Sequence, residues 1–109
     1  MRNKQVDLVK RDNLVVDTIF KHKGRENPIS AIKLRNLLLD NGYNVNVINI
    51  GSLVNKIKFE RKLPICFVNS KGYFWATNKQ EIALTIKDLK GRALKMLEHA
   101  EFLQSFIIE

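Results

Sequence analysis

Residues 50–76 read IGSLVNKIKFERKLPICFVNSKGYFWA, and this stretch decides the fold. The apolar side chains of its first part recur at i, i+3, i+4 and i+7: Ile50, Leu53, Val54 and Ile57. This spacing predicts an amphipathic helix with one buried face. Pro64 disfavours helical angles at the residue before it, so the helix must end before Leu63. Asn46 or Asn49 is a suitable cap for its start.

The second part of this stretch predicts a β-hairpin. Two short runs rich in β-branched and aromatic residues, 65–68 and 73–76, flank the turn sequence Asn69-Ser70-Lys71-Gly72. Glycine at the end of this turn permits a positive φ, which suits a tight connection between antiparallel strands. We expect both Phe74 and Trp75 to pack internally, and Cys66 to be a small buried hydrophobe within its strand.

Two further helices precede this stretch. Residues 12–23 predict the first, with an apolar stripe at Leu14, Val15, Ile19 and Phe20. Residues 3–11 either extend this helix or form a basic arm, and Gly24 is its expected terminator. Ser30 is the expected N-cap of the next helix, over residues 31–39. The alternation in residues 43–47 indicates a very short strand.

After residue 77 the pattern changes to one long helix. Thr77 and Gln80 stand in capping-box positions, and no proline interrupts the chain from there to Ile108. A row of apolar side chains, here called the seam, recurs with spacing 4-3-4-3-4-3-4: Ile82, Ile86, Leu89, Ala93, Met96, Ala100, Leu103 and Ile107. Such heptad spacing is typical of a coiled coil.

The length of this helix favours self-association. Thirty helical residues extend about 45 Å, more than a small domain is wide. We therefore predict residues 1–77 as one domain and residues 78–109 as a helix that forms a homodimer. The alternative is that the first half of the helix packs on its own domain while the second half frays.

The charge of the chain is concentrated in the first domain. Nineteen Lys and Arg residues against eleven Asp and Glu give a net charge of +8, and the whole excess lies before residue 78. A basic domain joined to a neutral tail is typical of a protein that binds a polyanion such as double-stranded DNA. The competing explanation is that the charge serves solubility alone.

Several functional classes are disfavoured by residue content. One cysteine cannot form an internal disulfide, and two distant histidines give no metal-ligand cluster, so we expect no metal and no cofactor. Neither a hydrolytic triad nor a glycine-rich phosphate loop is recognisable, so an enzyme is not expected. No apolar run is long enough to span a membrane and no secretory signal is recognisable. We expect a cytoplasmic protein.

Four stretches resemble a family of small winged-helix proteins encoded by phages and prophages of Gram-positive bacteria. They are Gly24-Arg25-Glu26-Asn27-Pro28-Ile29-Ser30, then Leu63-Pro64-Ile65-Cys66, then Ser70-Lys71-Gly72-Tyr73-Phe74-Trp75-Ala76, and a long last helix with Leu89 and Arg92. The resemblance covers roughly residues 12–108 and is most distinctive at the hairpin. It implies a winged helix-turn-helix, frequent dimerisation through the last helix, and DNA binding or a role in replication. Lys62 departs from the family, which often has glycine there.

In a winged helix, the third helix enters the major groove and the hairpin, or wing, contacts nearby DNA. The outward residues of helix and wing then form the candidate interface: Ser52, Asn55, Lys56, Lys58, Phe59, Lys62, Asn69, Ser70 and Lys71. Asn55 is suited to pair with an adenine edge, and the lysines are suited to phosphates. Solvated surface residues are the plain alternative for each.

Phe59 is anomalous on a face that meets DNA, because exposed apolar rings often mark protein contacts. Two functions therefore stay open. The first is a dimeric DNA-binding protein of phage type, acting as a regulator or replication accessory factor in the host bacterial cytoplasm. The second is a phage effector that binds and inhibits a host replication protein, such as a helicase loader or initiator ATPase.

Overall fold

The computed structural model describes residues 4–107, with side chains from residue 7 onward. It is mainly helical, with one two-stranded antiparallel hairpin and a long C-terminal helix, as the sequence predicts. In chain order the elements are α1 (Lys4–Phe20), α2 (Ala31–Asp40), a short 3₁₀ turn (Val47–Asn49), α3 (Ile50–Arg61), β1 (Ile65–Val68), β2 (Gly72–Trp75) and α4 (Lys79–Gln104).

The first three helices and one face of the hairpin enclose a single apolar core. Its fully or nearly buried members are Val15, Ile19, Ile29, Leu34, Leu38, Ile50, Leu53, Val54, Ile57 and Ile65. All four residues of the predicted α3 stripe are among them, which confirms that helix and its orientation. We call α1 to β2 the head of the molecule.

Helix α1 begins in line with the first of the two predicted alternatives for residues 3–11, but it ends earlier than predicted. Residues 4–11 extend the helix, and it stops at Phe20, three residues before Lys23. The backbone after Phe20 is hydrogen-bonded to the hairpin: the N–H of Trp75 donates to the carbonyl of His22, and the N–H of Gly24 donates to the carbonyl of Trp75. These bonds compete with further helical turns. Phe20 is consequently 46% exposed, packed edge-on against Trp75 and not in the core.

The segment between α2 and α3 is not a strand. Ser30 caps α2 as predicted, its hydroxyl accepting from Lys33 N–H. After α2, Tyr43 and Val45 pack against the core at alternate positions, which accounts for the alternation, but residues 43–47 pair with no strand in the described part of the chain. Asn46 caps the 3₁₀ turn instead, accepting from Ile48 N–H.

Strand β2 is hydrogen-bonded along both edges. On one side it pairs with β1 in antiparallel register, Cys66 facing Phe74 and Phe67 facing Tyr73. On the other, Tyr73 and Ile29 exchange two backbone hydrogen bonds of 2.9 and 2.8 Å. The predicted second strand, 73–76, is thus shifted by one residue to Gly72–Trp75.

Gly72 permits the closest approach in this sheet. Its φ is +130°, and a Cβ built on it would lie 2.0 Å from the carbonyl oxygen of Ile29. Any other residue would therefore collide with backbone that leads directly into α2. Because Gly72 has no side chain, the hairpin packs directly against the backbone that enters α2.

Helix α4 covers the face of the hairpin that points away from the head's core. Cross-strand neighbours Cys66 and Phe74 lie on that face and are buried, although neither belongs to the core of the head. Helix α4 packs on β1, and its one buried side chain is Thr85. The buried setting of Cys66 and Phe74 confirms the prediction for both.

The start of α4 differs from the predicted capping box. Asn78, not Thr77, is the N-cap and accepts from Glu81 N–H at 2.9 Å. The carboxylate of Glu81 accepts from the backbone and hydroxyl of Thr77, and from Arg25 N–H at 2.6 Å. The hydrogen bonds from Thr77 and Arg25 lower the pKa of Glu81. This carboxylate links α4 to the loop after α1.

Helix α4 ends at Gln104, earlier than predicted. Residues 105–107 form a turn, so seam residue Ile107 lies just outside the helix, and Ile108 lies outside the described residues. The 26 helical residues still extend about 39 Å. Residues 93–104 are helical, and the first half of α4 packs on the head.

We predict that Gly72→Ala and Gly91→Ala have opposite effects on stability. The first places a Cβ against the Ile29 carbonyl and should lower the free energy of unfolding by about 2 kcal/mol or more. Nothing lies within 4 Å of a Cβ at Gly91, so alanine there should stabilise α4 by about 0.5–1 kcal/mol. Urea unfolding monitored by circular dichroism measures both; equal changes would contradict the close approach.

Glu81→Gln should destabilise the chain in a pH-dependent way. Because the folded state lowers the pKa of Glu81, its carboxylate contributes stability above the unfolded pKa and loses it as pH falls through the folded pKa. We expect the substitution to cost about 1 kcal/mol near pH 7, where a neutral amide replaces a charged acceptor. The difference from the parent chain should shrink below about pH 4.

The control for this titration is Glu98→Gln, an exposed position on the second half of α4. The free energy of unfolding is measured for the parent chain and both variants between pH 3 and pH 7. A constant difference between Glu81→Gln and the parent chain across that range would show that the carboxylate charge is unimportant.

Candidate nucleic-acid interface

The outward face of α3 carries most of the predicted interface. Because Ile50, Leu53, Val54 and Ile57 point into the core, the opposite face is left to Ser52, Asn55, Lys56 and Phe59, all exposed. Lys58 lies at the flank and is half-buried, with its Nζ 5.8 Å from the centre of the Phe59 ring. The helical period thus places polar, basic and aromatic groups on one surface.

Lys62 ends α3 in a backbone conformation that residues other than glycine rarely adopt. Its φ of +55° and ψ of +56° are left-handed, and its N–H donates to the carbonyl of Lys58. Glycine adopts these angles without a Cβ penalty, and lysine does not. In this chain the strained position instead displays an exposed ammonium group beside the C-terminus of α3.

The hairpin turn brings three predicted residues together. Asn69, Ser70 and Lys71 are exposed between β1 and β2, and Ser70 has a φ of +65°. The hydroxyl of Ser70 donates to the carbonyl of Asn69 at 2.6 Å, so its proton is used within the turn. Lys71 is left as the charged group at the tip.

A groove of about 450 Å³ runs between the hairpin and the helices, and one predicted α3 residue reaches it. Its lining combines the start of α2, the hairpin and single residues of α3 and α4: Ser30, Ala31, Ile32, Asn55, Phe67, Val68, Asn69, Ser70, Lys71, Gly72, Tyr73 and Arg92. The structure thus brings Asn55 to the same groove as the hairpin turn. Ser52, Lys56, Lys58, Phe59 and Lys62 lie outside it.

Arg92 brings α4 to the edge of this groove. Its guanidinium lies 4.9 Å from the centre of the Phe67 ring, and its Nη2 is buried without a hydrogen-bond partner. Sequence reasoning placed Arg92 on the long helix but did not assign it to the interface. Only the packing of α4 on β1 brings it there.

The basic side chains of the interface form no ion pair in the described part of the chain. Two ion pairs occur there, Arg11 with Asp12 and Arg25 with Asp88, and neither involves α3 or the hairpin turn. Lys56, Lys62 and Lys71 therefore present their charge to solvent. This surface is suited to an anionic partner.

Apolar groups accompany these charges. Phe59 is 72% exposed, and Ile48, just before α3, is 82% exposed. At about 100° per residue, Ile48, Ser52, Asn55 and Phe59 follow one line along the helix. Ile48 was not predicted as part of this surface because it precedes the apolar stripe of α3. Its position four residues before Ser52 is the feature of the sequence that indicates it.

The eight seam residues are all exposed, those of the first half of α4 in part and those of the second half more fully. The side of α4 that meets the head consists instead of Glu81, Thr85, Asp88 and Arg92, at i, i+4, i+7 and i+11. Their polar groups reach the head: Glu81 and Asp88 contact Arg25, and Arg92 stacks on Phe67. Helix α4 therefore contacts its own head mainly through polar side chains, and its apolar seam stays exposed.

Comparison of the chain with protein-family models, curated proteins and solved structures finds no match. In residues 4–107 no helix is long and apolar enough to cross a bilayer. The same residues contain no group of three or more histidine, cysteine, aspartate or glutamate side chains arranged to hold a metal ion. The interface must therefore be interpreted from its own chemistry.

Proposed function

We propose that this chain is a winged helix-turn-helix protein that binds double-stranded DNA as a homodimer, with α3 in the major groove. The order of the elements along the chain supports this proposal: α1, the segment at Ile29, α2, α3 and then the hairpin. The Ile29 segment pairs with β2 as a third, strand-like member of the sheet. In the winged-helix arrangement the hairpin is the wing, and its turn contacts the adjacent backbone.

The observation that carries the proposal is that Asn55 of α3 and Lys71 of the hairpin turn line the same groove. Lys56 and Lys62 flank the outward face of α3. A duplex seated on α3 would meet an amide capable of pairing with an adenine edge and ammonium groups suited to phosphates. No catalytic chemistry is required of this surface.

The division of work between these groups follows from their chemistry. Lys56, Lys62 and Lys71 supply charge, so they contribute affinity that depends on salt and little on sequence. Asn55 and Ser52 are short and can contact base edges only if α3 lies deep in the groove. Sequence preference in this proposal therefore rests on those two polar residues.

Charge reversal on α3 tests DNA binding. We expect Lys56→Glu with Lys62→Glu to weaken affinity for duplex DNA at least about tenfold and to reduce the log–log salt slope by about 2. The measurement is fluorescence anisotropy with labelled duplex between about 50 and 200 mM salt.

The matched control changes the same charge elsewhere. Lys87→Glu with Lys95→Glu alters two exposed lysines of α4 that lie outside the seam and the groove. The control should retain most of the parent affinity. If both double variants weaken binding equally, the attraction is due to net charge alone and α3 is not the reader.

A second function is favoured by Phe59 and Ile48. Two large apolar side chains, 72% and 82% exposed on the α3 surface, are suited to a protein partner. Under this alternative the chain is an effector whose α3 surface occupies a host replication protein. The basic residues around the apolar pair would then meet an acidic surface on that protein.

Phe59→Ala separates the two functions. If Phe59 anchors a protein interface, its loss should weaken capture of the partner by about 2 kcal/mol, close to thirtyfold, in nuclease-treated bacterial lysate. Leu94→Ala, an apolar side chain of 59% exposure on α4 outside the seam, is the control. Unchanged capture by Phe59→Ala, or loss of all captured protein after nuclease treatment, would count against the effector.

A further inference from the structure

We infer that two copies of this chain pair through α4 in antiparallel orientation, so that the second half of each α4 lies along the first half of its partner's. The inference rests on the proposed self-association and specifies its geometry. It starts from the seam, which one copy leaves exposed, most of all in the second half of α4.

The sizes of the seam residues match in antiparallel layers. When the helices run in opposite directions, a and d positions face each other. In the register that pairs all eight seam residues, Ile86 lies opposite Leu103, Leu89 opposite Ala100, and Ala93 opposite Met96. Each small residue meets a large one, so the two central layers fill evenly.

Parallel pairing in register would fill these layers unevenly. Each seam residue would face its own copy, so Ala93 would meet Ala93 and Ala100 would meet Ala100. Two of the layers would then hold only methyl groups, while Met96 would oppose Met96 between them. Such layers leave cavities that reduce the free energy of association.

Charge along α4 favours the same orientation. Residues 79–92 carry four basic and two acidic side chains, whereas residues 93–107 carry one basic and two acidic. Antiparallel pairing brings the positive half against the negative half, and parallel pairing brings like against like. In antiparallel pairing the two helix dipoles point in opposite directions, which also favours this orientation over the parallel one.

The head leaves room for this partner. It meets α4 through Glu81, Thr85, Asp88 and Arg92, about a quarter-turn from the seam, and Ile82, Ile86 and Leu89 keep 37–46% exposure beside it. Over the second half, Met96 and Leu103 are 71% and 53% exposed. Pairing therefore covers the most exposed apolar part of α4 with the part that adjoins the partner's head.

Disulfide trapping tests the orientation in the full chain with Cys66 replaced by serine. Two variants are prepared, one with Leu89→Cys and one with Ala100→Cys, and oxidised separately and mixed. In the antiparallel layers residue 89 faces residue 100 of the partner, so the mixture should form a covalent heterodimer while each variant alone stays uncross-linked. Glu98→Cys, off the seam, is the control that should cross-link in no sample.

The other outcomes are distinguishable. Covalent dimers from each variant alone, with residue 89 joined to residue 89, would establish parallel pairing and overturn the inference. A dimer by sedimentation that cross-links in no sample would overturn the antiparallel register but leave self-association standing. A monomer by sedimentation at all concentrations would overturn self-association itself, and DNA binding by a monomer would be tested separately.

A spin-label distance supports the same test without changing the seam. With a label at Ser105→Cys in the Cys66→Ser chain, the antiparallel register separates the two labelled positions by about 31 Å along the helix axes. Parallel pairing brings them to about 10 Å, the distance between packed helices. The shorter distance would overturn the inference even if a cysteine on the seam disturbs folding.

Discussion

The structure depends on the double pairing of strand β2. One edge bonds β1 and the other bonds the backbone around Ile29, while Gly72 lets the strand lie against the segment that enters α2. Since backbone groups buried without partners are costly, this pairing accounts for the early end of α1 and for the position of α2. It also sets the hairpin turn beside the start of α2 and near Asn55, which creates the groove.

The packing of α4 follows from the other face of the same hairpin. Phe74 and Cys66 are apolar there and require cover, but the helix that covers them contributes Thr85 and a rim of charged residues. Glu81 accepts from the backbone N–H of Arg25, and Asp88 forms an ion pair with the Arg25 guanidinium. Because α4 contacts the head through this polar side, its apolar row stays exposed, and a second copy is the partner that we propose for it.

Sequence periodicity predicted the elements that bury one face and expose the other. The α3 stripe, the Ser30 cap, the hairpin and the long last helix were all recovered, and the outward side of α3 followed from its inward side. Errors arose where backbone pairing or competing caps decided the outcome. Residues 43–47 alternate without a strand partner in the described part of the chain. Asn78 with Glu81 takes the place of the predicted Thr77 and Gln80, and the Glu81 carboxylate accepts from both Thr77 and Arg25.

By itself the sequence determined which faces of the helices are apolar and where the positive charge lies, since both are properties of residue order at a known helical period. Only the tertiary structure decided that Asn55 shares a groove with the hairpin turn, that Arg92 reaches it, and that α4 meets the head with its polar side. These depend on contacts between residues far apart in the chain, such as Arg25 with Glu81, which local periodicity does not encode.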